Sequence, residues 1–426
     1  MTDKTILVIG TFDTKSDELR YLAGRIAAQG GGTLTMDVSV LGDPPSPTDV
    51  SKHEVAEAAG SSIEAAIASG DENTAMQIMA AGAARLTRAL HEEGRIDGMI
   101  AMGGTMGTDL ALDCAAALPM GVPKYIVSTV SFSPLIPAER LSPDIQMILW
   151  AGGLYGLNSV CRSSLSQAAG AVLGAARAVE PPRSDRPLVG ITSLGSSCLS
   201  YMKTLKPELE RRGFEVAIFH STGMGGRAYE GLAAQGAFAC VMDFCMQEFT
   251  NGVHGSPVNS GADRLFSAGR AGIPQIVAPG ASDLVDLPGW AAVPEKWADR
   301  PYHAHNRLIA SVAVTAEERR RTARAMAEAL AGATAPVHVI LPNQGIEEWD
   351  KAGEPAHDPE GLAAFLDEMR TCVTPPVDLT EIDAHINDRE FTDTALSVFD
   401  AWVADGTVKT TAPAPTPAPA SRARQG

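Results

Sequence analysis

Three turns in the first half of the chain carry hydroxyl side chains, two of them together with glycines, a composition suited to binding an anion. Gly10–Lys15 (GTFDTK) and Gly103–Thr105 each follow an apolar run that predicts a buried strand, and each precedes a helical pattern; Ser128-Thr129 ends a third apolar run. Glycine lets a ligand approach the backbone, and a helix N-terminus offers unpaired N–H groups. Ligands bind at the carboxyl ends of strands in open parallel sheets, so these turns predict a phosphate or carboxylate pocket.

Several residues in these turns have alternative roles. Asp13 or Thr14 could contact magnesium or a ribose, and Lys15 a phosphate, but an Asp before a helix also serves as an N-cap. Ordinary strand-to-helix turns have the same composition, and the chain contains neither a Walker A motif nor a dinucleotide-binding fingerprint. The predicted pocket residues are Gly10, Thr11, Asp13, Thr14, Lys15, Gly103, Gly104, Thr105, Ser128 and Thr129.

The segment His220–Arg227 (HSTGMGGR) carries the most varied chemistry of the second half. It joins an imidazole, hydroxyls, three glycines and an arginine at a predicted strand-to-helix junction. Histidine suits general acid–base catalysis near neutral pH, and the glycines suit a second anion loop. A histidine at a strand end is also a common structural hydrogen-bonding group. We predict His220 as an acid or base, and as ligand contacts Thr222, Gly225, Gly226 and Arg227.

Carboxylates follow other predicted strands of the second half. Asp243, Glu248 and Asp283 could converge as acid, base or magnesium ligands. Exposed helix caps are the alternative for each of them. We predict all three as catalytic residues, with Gly280 beside the ligand.

Two further groups have less specific signals. Asn158 and Arg162 lie four residues apart on one predicted helical face, where the arginine could bind a substrate anion or a structural carboxylate. His303 and His305 form an H-x-H pattern that can ligate a metal, but no cysteine or carboxylate spacing supports zinc.

The composition limits the classes of partner. The net charge of −17 excludes a broad surface for nucleic acid or anionic membranes. Six scattered cysteines without a CxxC motif predict reduced core residues in a cytoplasmic protein. We expect neither a signal peptide nor a membrane-spanning run.

Apolar runs alternate with helical patterns, which predicts parallel sheets with right-handed crossovers. The predicted fold class is α/β, with two Rossmann-like doubly wound domains and a cleft between them. Residues 1–178 and 188–408 form the domains, 179–187 a proline-rich linker, and 409–426 a disordered Pro/Ala-rich tail. One helix is predicted over Glu54–Ser69.

Several long motifs occur in the order typical of one protein family. They include GTFDTKSDEL, MGGTMGTDLA, FHSTGMGGRAYE, AGIPQIVAPGASDLVD and HINDREF (His385–Phe391). In these motifs the chain resembles the UPF0261 family, whose members are related to the ATP-binding part of the plant Tm-1 virus-resistance protein. The resemblance implies ATP as the ligand of the first-half pocket, a homodimer, and His305-Asn306 as a substrate-contacting pair. We expect Mg²⁺ to accompany the ATP, and we also predict His305 as a catalytic residue.

These features predict a Tm-1-like ATP-binding protein with a second, unknown small-molecule ligand. If the protein is an enzyme, ATP-dependent activation of a small carboxylic or oxo acid fits the pocket chemistry. One alternative is a nucleotide-responsive binding protein without turnover. Another is an ATP-independent isomerase or lyase.

Overall fold

The computed structural model describes residues 4–150, 152, 156–180, 185–354 and 356–411. These residues form two compact units that divide between residues 183 and 184. Each unit contains a parallel sheet covered by helices, which confirms the predicted α/β class. Most of the predicted tail, residues 412–426, lies outside the described residues, as do residues 181–184 of the predicted linker.

The first unit is built on five parallel strands in the order β2-β1-β3-β4-β5. Its strands are β1 (Thr5–Gly10), β2 (Gly32–Asp37), β3 (Gly98–Gly103), β4 (Lys124–Ser128) and β5 (Ile145–Leu149). Its helices are α1 (Ser16–Ala28), α2 (Lys52–Ala58), α3 (Ile63–Ala68), α4 (Glu72–Glu92), α5 (Thr105–Ala116) and α6 (Ser159–Ala178). The single helix predicted over Glu54–Ser69 is wrong, because Gly60 adopts a φ of +77° and Ser62 caps a new helix.

The strand order creates a crevice in the first unit. Helices α1 and α6 pack on one face of the sheet, and α2, α4 and α5 pack on the other. The chain therefore leaves β1 and β3 toward opposite faces. In doubly wound sheets of this order, the gap between those two strands, at their carboxyl ends, is the usual ligand site.

The second unit has six parallel strands in the order β14-β13-β9-β8-β6-β7 and a small antiparallel sheet in the order β10-β12-β11. The strands are β6 (Leu188–Ser193), β7 (Glu215–His220), β8 (Cys240–Cys245), β9 (Gln275–Gly280), β10 (Leu284–Pro288), β11 (Tyr302–Ala304), β12 (Ile309–Ala313), β13 (Val337–Pro342) and β14 (Asp378–Ile382). The helices are α7 (Met202–Arg211), α8 (Met224–Ala234), α9 (Gln247–His254), α10 (Ser267–Arg270), α11 (Ala316–Ala331), α12 (Pro359–Cys372) and α13 (Arg389–Ala404).

Apolar clusters on both faces of the second parallel sheet form its core. Strands β8 and β9 are buried along their whole length, as expected for central strands of a parallel sheet. Within the described ranges, no helix is long and apolar enough to cross a membrane.

Candidate functional site

The turn between β1 and α1 presents hydroxyl groups beside an uncapped helix N-terminus. The N–H groups of Thr14 and Lys15 donate to the Thr11 carbonyl at 3.3 and 2.9 Å. The hydroxyls of Thr11 and Thr14 lie 3.1 Å apart, and Thr14 is exposed. No side chain of the described residues caps α1, so the N–H groups of its first turn are available to a ligand.

The turn between β3 and α5 has the same character. Gly104 precedes α5, and no side chain caps this helix. A Cβ atom on Gly103 would lie 2.7 Å from Cα of Gly107, so glycine is needed there for the helix to start this close to the strand. A Cβ atom on Gly104 would instead point into open space, 3.9 Å from Oγ1 of Thr129. The exposed residues Gly104, Thr105 and Thr129 therefore surround one N-terminus.

Ser128 has an internal role instead of the predicted ligand contact. Its buried hydroxyl lies 2.6 Å from the Thr108 hydroxyl and accepts from the Val130 N–H at 3.0 Å. Thr108 also lies 2.6 Å from the Gly104 carbonyl, to which it donates. Ser128 thus helps to hold the β3–α5 turn in position.

Two carboxylates flank the β1–α1 turn. Asp37, the last residue of β2, accepts through Oδ1 from the Phe12 and Ser39 N–H groups at 3.1 and 3.0 Å. Asp13 accepts from the Gly42 N–H at 3.3 Å. Oδ2 of Asp37 and Oδ1 of Asp13 are buried without a hydrogen-bond partner in the described ranges. Sequence reasoning missed Asp37, although an acidic residue ending the second strand of a βαβ unit is a known signal for ribose binding.

Asn158 and Arg162 take structural positions in the first unit. Asn158 caps α6, because its side chain accepts from the Cys161 N–H at 2.9 Å. The guanidinium of Arg162 lies 5.0 Å from the centre of the Tyr21 ring. Among the described residues Arg162 forms no salt bridge.

The glycine-rich turn of the second unit is filled by a carboxylate of the same chain. Oε1 of Glu248 accepts from the N–H groups of Gly223 and Gly226 at 2.6 and 3.0 Å, at the start of α8. A Cβ atom on Gly226 would lie 1.7 Å from Oε2 of Glu248, and one on Gly225 would lie 1.8 Å from the His220 carbonyl. These glycines therefore admit an internal anion and close backbone packing, where the sequence predicted a ligand.

Glu248 belongs to a buried ion-pair network centred on Arg264. The Arg264 guanidinium bonds Asp243 at 2.5 and 2.6 Å, and reaches Glu230 at 3.2 Å and Glu248 at 3.3 Å. Burial raises the pKa of Glu248 to about 7, although Arg264 and the two amides lower it. Asp243 also accepts from the Thr192 hydroxyl at 2.6 Å. The predicted catalytic residues Asp243 and Glu248 thus hold β8, α8 and α9 together.

The remaining residues of the HSTGMGGR segment divide between the surface and the interior. His220 is exposed, and its Nδ1 lies 3.0 Å from the half-buried Thr222 hydroxyl. Arg227 is buried and pairs with Asp263 at 2.5 Å, so its charge is neutralised within the chain. An acid–base role for the accessible His220 stays a prediction.

The side chain of Asp283 has an electrostatic partner, Arg319, but no hydrogen-bond partner within the described residues. It follows β9, is 1% exposed, and both of its carboxylate oxygens are buried without a hydrogen bond in the described residues. Gly280, at the end of β9, lies against β8, since a Cβ there would lie 2.2 Å from the Phe244 carbonyl. Gly280 therefore allows β9 to pack closely against β8. Among the predicted catalytic carboxylates, Asp283 is the one whose oxygens have no hydrogen bond in the described residues.

Sequence reasoning missed two groups beside this region, Cys198 and Glu347. The Cys198 thiol donates to Oε2 of Glu347 at 3.4 Å, and both side chains are buried. No motif signals this pair, because the two residues are 149 positions apart.

The HINDREF motif holds the turns after β6 and β13. His385 Nε2 bonds the Glu347 carbonyl at 2.9 Å and Asp350 at 3.2 Å. The Asn387 side chain donates to the Cys198 carbonyl at 2.9 Å and accepts from the Ser200 N–H at 2.7 Å.

The exposed histidine pattern lies on β11 and the turn after it. The His303 ring centre lies 4.6 Å from that of Trp349 and 6.4 Å from that of His305. Asn306 shapes the turn, since its side chain accepts from the Leu308 and Ile309 N–H groups at 2.7 and 3.1 Å. No group of three or more His, Cys, Asp or Glu side chains in the described chain is positioned to hold a metal ion.

The protein is of the α/β class, with two doubly wound units that carry polar residues at the carboxyl edges of their parallel sheets. The model of the uncharacterised protein family UPF0261 N-terminal domain matches residues 4–181, and that of the C-terminal domain matches residues 186–403. The chain therefore belongs to the UPF0261 family, as its motifs predict.

Individual relatives match along most of the chain. A UPF0261 protein of Brucella melitensis is 61% identical over 95% of this chain and 96% of the relative. A UPF0261 protein of Clostridium tetani is 34% identical over 91% of this chain and 96% of the relative. The ToMV resistance protein Tm-1(GCR237) of Solanum lycopersicum is 27% identical over 92% of this chain but only 55% of the plant protein.

Proposed function

We propose that this protein binds ATP at the carboxyl edge of the first sheet, between β1 and β3. The observation that carries the proposal is the pair of uncapped helix N-termini, α1 and α5, on either side of the crevice. Each supplies N–H groups and a partial positive charge to a phosphate chain. The resemblance to Tm-1-like ATP-binding proteins supports the same ligand.

The hydroxyls around these turns fit the phosphates. Thr14, Thr105 and Thr129 are exposed and donate hydrogen bonds without adding negative charge. Gly104 leaves its side-chain position empty, so phosphate oxygens can approach the backbone. Lys15, at the start of α1, adds a positive charge to the same edge.

The two unpartnered carboxylate oxygens of Asp13 and Asp37 fit the rest of the nucleotide. They can accept from ribose hydroxyls, or one can bind Mg²⁺ through a water molecule. Mg²⁺ in nucleotide sites is commonly held by one or two carboxylates together with the phosphates, whose charge it neutralises. This role needs no larger cluster of protein ligands.

Calorimetric titration with ATP and Mg²⁺ tests the proposal. At about 100 times the dissociation constant, ATP should raise the free energy of unfolding by roughly 2.7 kcal/mol. Gly104→Val should abolish binding, because the new side chain occupies the space in front of the α5 N-terminus. The φ of −77° at Gly104 is open to valine, so the fold should persist.

A matched control is Gly174→Val on α6, where a side chain meets no atom within 4 Å. This variant should bind ATP like the wild type. Absence of binding by folded wild-type protein at millimolar ATP would refute the proposal, and normal binding by Gly104→Val would remove α5 from the site.

The second part of the proposal is that the protein uses the bound ATP in a reaction. ATP-dependent activation of a small carboxylic or oxo acid would release ADP only when both ligands are present. ATP binding without ADP release, across a panel of such acids, would favour the nucleotide-responsive binding protein. Turnover of an acid without ATP would favour an isomerase or lyase.

Location and assembly complete the proposal. All six cysteines are free thiols and five are buried, which supports a reducing, cytoplasmic location. A homodimer is expected from the family resemblance, and light scattering coupled to gel filtration measures it directly.

A further inference from the structure

Asp283 is a buried carboxylate whose charge is compensated only in part, by the charge of Arg319. Both oxygens are without a hydrogen-bond partner among the described residues, and the side chain is 1% exposed. The neighbouring Ser282 hydroxyl is also buried without a partner. Burying an unpaired carboxylate is costly, and buried polar groups in native proteins nearly always have partners. A molecule that supplies donors at this position would remove the cost.

A second carboxyl group lies at the end of the neighbouring strand. Glu347 follows β13, which pairs with β9, and its side chain is fully buried. Its Oε2 accepts from the Trp349 N–H at 2.9 Å and from the Cys198 thiol at 3.4 Å. Its Oε1 has no hydrogen-bond partner in the part of the chain that the structure describes. Asp283 and Glu347 together therefore present three acceptor oxygens without donors.

The basic side chains near Asp283 bond other carboxylates. Arg319 of α11 pairs through Nη2 with Asp358, the N-cap of α12, at 3.3 Å, and its Nε is buried without a hydrogen-bond partner in the described residues. His385, after β14, bonds Asp350 at 3.2 Å. The charge of Asp283 is thus the one in this group that lacks a hydrogen-bonded partner of its own.

Burial acts on both carboxyl groups, and repulsion by the charge of Asp283 acts on Glu347. Burial raises the pKa of Glu347 to about 9, and the charge of Asp283 raises it as well. Burial raises the pKa of Asp283 to about 6, partly opposed by Arg319 and increased by Asp350. A cation bound between the two groups would favour their ionised forms, so its binding should release protons.

We infer that Asp283 and Glu347 form a binding site for the primary ammonium group of a small amine or amino acid. An ammonium group has three N–H donors, which match the three free oxygens, and one positive charge, which balances Asp283. A metal ion fits less well, because no third His, Cys, Asp or Glu of the described chain completes a set of ligands. The site belongs to the second unit and does not depend on nucleotide binding.

Methylammonium chloride is the probe, and tetramethylammonium chloride is its matched control, since it has the same charge but no N–H donor. Methylammonium should raise the melting temperature of the full-length protein more than the control salt at equal concentration. Calorimetric titration should also show a heat that varies with the ionisation enthalpy of the buffer, because protons are released.

Asp283→Asn and Glu347→Gln keep the shape of each side chain and remove its charge. Asp283→Asn should weaken methylammonium binding roughly 10- to 100-fold, the loss expected for charge-assisted hydrogen bonds. Glu347→Gln should weaken it in the same direction. Asp383→Asn, which changes an exposed carboxylate after β14, should leave binding unchanged.

Equal effects of the two salts on the wild type would overturn the inference, since they would reflect ionic strength alone. An unchanged methylammonium response in folded Asp283→Asn would also overturn it, and would assign the free oxygens to buried water. If one variant fails to fold, the other decides the outcome.

Discussion

Replacing Gly226 with alanine should destabilise the second unit by about 2–5 kcal/mol. The new Cβ would lie 1.7 Å from Oε2 of Glu248, so the carboxylate and the start of α8 cannot both keep their positions. Glu248 is buried and cannot turn into solvent without losing its bonds to the Gly223 and Gly226 N–H groups. Each such bond to a charged group contributes about 1.5–3 kcal/mol, and the higher helix propensity of alanine offsets about 1 kcal/mol.

Urea-induced unfolding followed by circular dichroism measures this loss. Gly252→Ala is the matched control, because Gly252 lies exposed in α9 with no atom within 4 Å of an added Cβ. That change should be neutral or stabilising by up to about 1 kcal/mol. The contrast between two helical glycines isolates the contact with Glu248.

A double-mutant cycle tests the physical cause. In a Glu248→Ala background the obstructing carboxylate is absent, so Gly226→Ala should cost little or nothing further. Unchanged stability of Gly226→Ala, or additive losses in the cycle, would refute the reasoning. If Gly226→Ala lost ligand binding but kept its stability, Gly226 would be a ligand contact, as the sequence predicts.

Three further predictions rest on the second unit. Gly345→Ala should lower the free energy of unfolding, measured in urea, by about 1–3 kcal/mol more than Gly353→Ala. Both glycines have a positive φ, but only at Gly345 would the added Cβ clash, since it would lie 2.4 Å from the His385 ring. Burial raises the pKa of Glu248 from 4.5 to about 7, so the folded protein holds a proton that the unfolded chain releases. As the pH rises from 4.5 to about 7, the free energy of unfolding of the wild type should therefore fall relative to that of Glu248→Gln, and it should level off at higher pH. A difference that stays constant with pH would contradict this. His220→Ala should change the free energy of unfolding by no more than about 0.5 kcal/mol, since the side chain is exposed and its hydrogen bond in the described residues is to the neighbouring Thr222; a larger loss would indicate a structural role.

Local sequence patterns predicted the elements of the first sheet well. The apolar run that ends at Gly10 forms β1, and the helical pattern predicted after Lys15 forms α1. Central strands of a parallel sheet are apolar on both faces, so their signal is continuous. The small antiparallel sheet was not predicted, because its strand β11 is short and exposed at every residue.

The same patterns located the turns but did not show which group each turn binds. Gly103–Thr105 and Gly223–Gly226 look alike in sequence, since each joins an apolar strand to a helix through glycines. In the structure the first turn faces open space, and the second holds the carboxylate of Glu248. The difference depends on a residue more than twenty positions away, which no local motif encodes.

The sequence by itself therefore determined the α/β class, the family and the strand ends at which polar groups collect, because these follow from hydrophobic periodicity and local turn composition. The tertiary structure alone decided which carboxylates are compensated. Asp243 and Glu248 meet Arg264, whereas Asp283 has no hydrogen-bond donor in the described part of the chain, and its charge raises the pKa of Glu347. Hydrogen bonds between buried groups act over about 3 Å, and only the folded chain brings residues from different strand ends within that distance.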